Sequence, residues 1–178
     1  MVREFTSEPV SQASLDRILS NATRGPSAGF SQGQAFLVLS GEELKRFWAV
    51  AGDATLPSVM AAPLIIVPLS SKRVYLDRYA EPDKGWTDRD EARWPVPFWH
   101  IDTGMAALLI LQTAVDEGLG ALYFGIVPEQ VAGFRREFGD LVEAARRTGA
   151  AADPLLRDRL ARAWIGTRTK ARSRNQSL

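Results

Sequence analysis

The stretch His100-Ile101-Asp102-Thr103-Gly104-Met105-Ala106-Ala107-Leu108-Leu109-Ile110-Leu111-Gln112-Thr113-Ala114-Val115 governs how this chain reads. From Met105 to Val115 nearly every face is apolar, and a helix without a polar side belongs in an interior. Asp102 or Thr103 is placed to cap its start by accepting from free backbone N–H groups. Gly118 is placed to end it in a left-handed turn. The run is too short, and too closely followed by Asp116 and Glu117, for a bilayer span. Beyond Leu119-Gly120, the segment Ala121-Leu122-Tyr123-Phe124-Gly125-Ile126-Val127 has the apolar and aromatic content of a strand. The expectation is a buried central helix feeding a buried strand.

Working outward toward the N-terminus, residues 70–99 hold Trp86, Trp94 and Trp99 among prolines and many charges. So long a stretch without regular pattern, rich in aromatics, reads as a lid that packs on something. Before it, Ala62-Pro63-Leu64-Ile65-Ile66-Val67-Pro68-Leu69 is a buried strand bounded by prolines. Ala35-Phe36-Leu37-Val38-Leu39 is another, followed by Ser40-Gly41-Glu42-Glu43 capping a helix through Ala51. Leu15, Ile18, Leu19 and Ala22 share one face of a first helix that starts at Gln12 or Ser14. It stops near Arg24-Gly25-Pro26, because the residue before proline is pushed out of helical geometry. Toward the C-terminus, Pro128 opens a helix with Val131, Phe134 and Phe138 inward and Gly139 as its end. Residues 140–164 carry further helical patterning, and residues 167–178 form a basic tail.

At 178 residues the chain is most simply one domain, 1–178, with enough length for a core. Its formal charge of +1 gives no global attraction to nucleic acid or membrane. With no cysteine, thiolate chemistry and sulfur-ligated metals are excluded; with one histidine, a zinc site is disfavoured. The first residues lack the apolar core of a signal peptide, so a cytoplasmic protein is expected.

Gly25-Pro26-Ser27-Ala28-Gly29 matches the G-x-S-x-G elbow of serine hydrolases in letters only. That elbow needs a strand before the serine and a helix after it, and here the order is helix, loop, strand. His100 and Asp102 form an acid–base pair on paper, but in an extended segment they point to opposite sides. No G-x-G-x-x-G follows a strand, so a dinucleotide-binding turn has no support. What remains is a small-residue loop, a glycine in a buried strand, cations at both ends of the chain and an aromatic lid. Backbone N–H groups, cations and apolar ring faces suit a planar cofactor with a phosphate tail.

Several pieces, taken in order and spacing, resemble the FMN-dependent nitroreductase family across nearly the whole chain. They are Arg3-Glu4-Phe5 with Glu8-Pro9-Val10, then residues 18–32 from Ile18 through Pro26-Ser27-Ala28-Gly29-Phe30-Ser31-Gln32. The strand Ala62-Pro63-Leu64-Ile65-Ile66-Val67 and the run Asp102-Thr103-Gly104-Met105 through Gly118-Leu119-Gly120 complete them.

The resemblance implies an α+β fold: an α/β/α sandwich with a mostly antiparallel sheet. It also implies a homodimer with FMN at the subunit interface, and a central helix lying largely in that interface. It assigns cofactor contacts to Pro26, Ser27, Ala28, Gly29 and Ser31 in the loop, to Arg3, and to backbone N–H groups at Phe124 and Gly125. Arg168, Lys170 and Arg172 are the candidates for the phosphate. The implied activity is hydride transfer from NAD(P)H, or a reduced deazaflavin, through FMN to electron-poor acceptors such as nitroaromatics or quinones. The flavin carries that chemistry and needs no catalytic acid or base from the protein.

The chain departs from the family pattern at several points. Phe30 replaces the loop asparagine, and Gly33-Gln34 replace a proline–aromatic pair. The helical run 140–160 stands where a strand is usual, with only Trp164-Ile165-Gly166 resembling it. The family's arginine-bearing helix before the position of Met1, and its basic extension after that of Leu178, have no counterpart here. These departures leave a second class open: a shortened, non-catalytic relative acting as a weak flavin-binding or partner subunit.

Overall fold

The computed structural model describes residues 1–53 and 55–147, with side chains as far as residue 143. Helix α1 (Gln12–Ala22) opens on Ser11, whose side chain accepts from the Ser14 N–H, a local cap of the expected kind. A 3₁₀ turn (Ala28–Phe30) leads into strand β1 (Gln34–Ser40) and helix α2 (Gly41–Ala51). Ser40 is the N-cap residue of α2 but makes no side-chain cap bond, so the expected capping box is not formed. The short helix α3 (Pro57–Met60) precedes strand β2 (Leu64–Ser70), then α4 (Lys72–Tyr79), α5 (Phe98–Asp116) and α6 (Pro128–Arg147).

β1 and β2 pair antiparallel, with Leu37 opposite Val67 and Leu39 opposite Ile65. Side chains alternate across a strand, so these four residues share one face. That face joins Leu44 and Phe47 of α2 and Phe134, Phe138 and Leu141 of α6 in the core. The opposite face turns toward α5, which packs on β2 and, along its other flank, on α1. Helix, sheet and helix layers follow, and the fold is α+β. Pro68 sits inside β2, opposite Phe36, rather than bounding it. β2 is an edge strand among the described residues, where a missing N–H is tolerated.

Four expectations are corrected. The 70–99 stretch, expected as an irregular lid that packs on something, contains α4 and a 3₁₀ turn, and Trp94 packs against Tyr79 at 4.4 Å and Trp99 at 5.9 Å. Residues 121–127 show strand-like alternation, with Leu122, Phe124 and Ile126 more covered than Tyr123, Gly125 and Val127. They form no ladder, because none of the described residues pairs with them in a sheet. Gly139 does not end α6, which runs on to Arg147. A glycine only permits a stop, and here the helix continues through it.

The fourth correction concerns the central helix, which starts at Phe98 behind Pro97, five residues before the point at which an Asp102 cap would start it. Its buried residues are Trp99, Asp102, Thr103, Ala106, Ala107, Thr113 and Ala114, all on one side. Ile101, Leu108 and Val115 are exposed, the middle one by 53%. A spacing of seven residues is two helical turns, so these three side chains form one apolar stripe. Its 19 residues are long and apolar enough to cross a membrane by length and composition. Its packing on α1 and β2 is that of a core helix.

Candidate functional site

The residues the sequence singles out fall into two groups. The first is the loop after α1. Gly29, Phe30 and Gln32 all have positive φ, at 59°, 56° and 53°. An aromatic residue in the left-handed region is strained, and such strain persists only where surrounding structure holds it. Several contacts hold it. The Ala28 N–H donates to Asp102 Oδ2 at 2.8 Å, and the Gln32 N–H to Ser27 Oγ at 2.9 Å. Ser31 Oγ donates to the Ala28 carbonyl at 2.6 Å, and Arg78 Nε to the Gly29 carbonyl at 3.0 Å.

α4 backs this loop closely. A Cβ at Gly33 would lie 2.5 Å from the Tyr75 ring, and one at Gly29 the same distance from Tyr79. Only glycine admits both rings. Tyr75, fully buried, donates to Asp102 Oδ2 at 2.7 Å. Burial, then the hydrogen bond to Asp102 and its negative charge, push the Tyr75 phenol far above its usual range. Phe30, by contrast, stands 80% exposed at the loop's tip.

Asp102 therefore caps the loop instead of the helix. It was legible as a chemistry-bearing residue, but its partners were not. Tyr75 and Arg78 were missed altogether, since nothing in the 70–99 pattern marked them. Ser27 has no contact with His100, whose Nδ1 instead lies 3.0 Å from Ser70 Oγ. The hydrolase reading and the His100–Asp102 pairing both fail on these geometries.

The second group lies near the other end of α5. The Val2 N–H donates to the Ala121 carbonyl at 3.1 Å, and a Cβ at Gly120 would lie 2.7 Å from Val2. Ser58 Oγ donates to the Arg3 carbonyl at 2.9 Å. The terminal segment is thus pinned beside residues 120–121. Arg3 is exposed, and its guanidinium pairs with no acid among the described residues. Val2 and Glu4 on either side of it, Leu64 and Ile66 of β2, Ala114 of α5, and Phe124 line an apolar cavity of about 410 Å³. That volume falls in the range of small-molecule pockets. At Gly125, exposed, a Cβ would meet nothing within 4 Å, which leaves its backbone open to a ligand. Arg168, Lys170 and Arg172 lie outside the described residues, so the phosphate assignment has no structural counterpart here.

An apolar slot, an unpaired cation and open backbone at a glycine fit a flat ring with an anionic tail. The small-residue loop fits a ring face. Along α5, the loop is tied at Asp102 and its start approaches Leu109, while the cavity is lined from Ala107 to Ala114. From Asp102 to Ala114, at 1.5 Å per residue, is about 18 Å of helix, so the Ala28 anchor and the Arg3 segment lie toward different ends of α5.

Comparison with known proteins makes this an oxidoreductase of a family that is generally flavin-dependent. The chain belongs to the nitroreductase family, whose model matches residues 1–141. Among solved structures it is similar to a protein described as an NADH oxidase from Clostridium acetobutylicum. That similarity is at 26% identity and a TM-score of 0.57, covering 78% of this chain and 73% of the other. It shares its fold with CLA-ER, an enone reductase of gut-bacterial fatty acid saturation, at 17% identity and a TM-score of 0.58, covering 78% and 75%. A stretch of 35 residues is 63% identical to the acyl-CoA dehydrogenase IpdE1 of Mycobacterium tuberculosis. It amounts to 20% of this chain and 9% of that protein, too little to carry a fold or an activity across.

Proposed function

We propose that this chain is an FMN-dependent oxidoreductase that works as a homodimer, with each flavin held between two subunits. The donor is NAD(P)H or a reduced deazaflavin, and the acceptor an electron-poor compound such as a nitroaromatic or a quinone. The observation that carries this reading is the separation of the two groups along α5, together with the apolar stripe Ile101, Leu108 and Val115 left exposed on it. Related by a two-fold axis, two antiparallel α5 helices would cover each other's stripe. The start of one helix would then lie beside the end of its partner. The loop 26–31 of one subunit would then lie beside the Arg3 segment of the other.

In that arrangement Pro26, Ser27, Ala28, Gly29 and Ser31 lie along the ring, small enough for close backbone approach. Phe30 would shield its face from water. The Phe124 and Gly125 backbone would donate toward the ring edge, and the partner's Arg3 would supply positive charge where negative charge develops. FMN, when bound, supplies the hydride and electron chemistry, and the protein supplies orientation and electrostatics.

An absorbance spectrum of the purified protein, before and after added FMN and then anaerobic NADPH, tests the proposal. Flavin bands that bleach with NADPH are the expected result. Bands that resist it point to the deazaflavin donor, and no retained flavin after reconstitution refutes the assignment.

A further inference from the structure

A buried carboxylate needs donors to offset its lost hydration. Asp102, 3% exposed, has two that reach the same oxygen: the Ala28 N–H from the loop and the Tyr75 hydroxyl from α4. Neither is a cation. Gly33 lies against the Tyr75 ring, where a Cβ would stand 2.5 Å away, so Tyr75 and Asp102 link the Ala28 N–H by hydrogen bonds to a helix packed on Gly33. Asp102 thereby ties the start of the segment carrying the three left-handed residues, and Tyr75 backs its far end by packing. Hydrogen bonds to an ionised acceptor are the stronger kind, and the segment they anchor contains most of the loop contacts assigned to the flavin.

We infer that Asp102 is a positioning residue: with Tyr75 it holds residues 28–33 in the strained shape that meets the flavin, without touching the flavin itself. The inference rests on the flavin assignment for the cofactor it names, but the tie between Asp102 and the loop is a property of the protein alone.

The test compares Asp102→Leu with Asp102→Asn in the full chain, two residues of similar volume of which only asparagine keeps an oxygen acceptor. FMN titration gives affinity, and hydrogen exchange of the flavin-free protein gives protection at Ala28 and Gln32. Loss of a charge-assisted bond should weaken FMN about tenfold or more in the leucine variant, with asparagine rescuing to within about threefold. Exchange at Ala28 should quicken in step. Leu44→Ala, in the core on the other face of the sheet and outside the cavity lining, serves as a control: it should lower Tm and leave FMN affinity unchanged. Should Asp102→Leu fail to fold, Tyr75→Phe keeps the ring and removes only the hydroxyl that holds Asp102, and exchange at Ala28 should still quicken. Wild-type affinity and wild-type exchange in these variants would overturn the inference, as would FMN affinity that merely tracks Tm in Leu44→Ala. A wild-type protein that takes up no FMN refutes the function, while the exchange comparison still decides the role of Asp102.

Discussion

Leu108→Glu is the sharpest probe of the shared site, because it touches neither the loop nor Arg3. Residue 108 lies one position from the midpoint of α5 (Phe98–Asp116) and is 53% exposed in the single chain. The monomer should accept a charge there without unfolding. In a two-fold antiparallel pairing, residues near the helix midpoint lie near the axis, so the two introduced carboxylates would face each other. At a separation of about 6 Å and an effective dielectric near 20, Coulomb's law gives a repulsion of about 3 kcal/mol. The cost of desolvating each charge adds to it. Repulsion alone weakens dimerisation about a hundredfold. Sedimentation equilibrium reads the assembly, and FMN titration on the same samples reads the site. The expected result is a folded monomer with greatly weakened FMN binding, although every proposed ligand-contacting residue is intact. A variant that stays dimeric, or a monomer that binds FMN as the wild type does, refutes the two-subunit site.

Three other substitutions test neighbouring parts of the argument. Phe138→Ala removes a fully buried ring stacked near Phe134 at 5.0 Å. It should cost about 3–5 kcal/mol and lower Tm by about 6–20 °C in a thermal melt. Tyr75→Phe should flatten the alkaline limb of stability. The folded state holds the phenol proton more tightly than the unfolded chain. Its contribution is therefore full below pH about 10 and declines above it, as the unfolded chain releases its proton first. Tm measured from pH 9 upward should fall more steeply in the wild type than in the variant. Arg3→Ala should weaken FMN while leaving Tm near the wild-type value, since that guanidinium makes no internal ion pair; unchanged affinity would remove Arg3 from the site.

The elements that depend on local pattern were legible before the structure. The helix on Leu15, Ile18, Leu19 and Ala22, the two strands and the start of the Pro128 helix all follow from spacing and lie within a few residues of their expected positions, whereas the end of that helix runs past Gly139. What failed depended on partners elsewhere in the chain. The 121–127 segment has strand alternation, but a ladder also requires a neighbour in register. The 70–99 stretch was read as one unit because its prolines and charges hide an eight-residue helix. That helix is held by Tyr75 and Tyr79 against two glycines of a loop more than 40 positions earlier, and no periodicity reports such a contact. The family resemblance supplied the loop and Arg3, but not the residues behind the loop.

Asp102 shows how one boundary changes a residue's chemistry. At a helix start, a carboxylate finds backbone N–H groups with no intrahelical acceptor. With α5 beginning at Phe98, Asp102 instead sits in the second turn, where those groups are already engaged. Thr103 makes the same point, donating its hydroxyl back to the Trp99 carbonyl at 2.7 Å, a bond characteristic of helix interiors. The carboxylate must therefore take donors from outside its own helix, and the donors within reach are the loop amide and the α4 phenol. A signal for the earlier start was present in Pro95-Val96-Pro97, since proline is favoured where a helix begins and has no N–H to satisfy. Reading that proline as the start moves Asp102 from a structural cap to the support of the loop proposed to bind the cofactor, which makes its substitution a test of that loop rather than of helix stability.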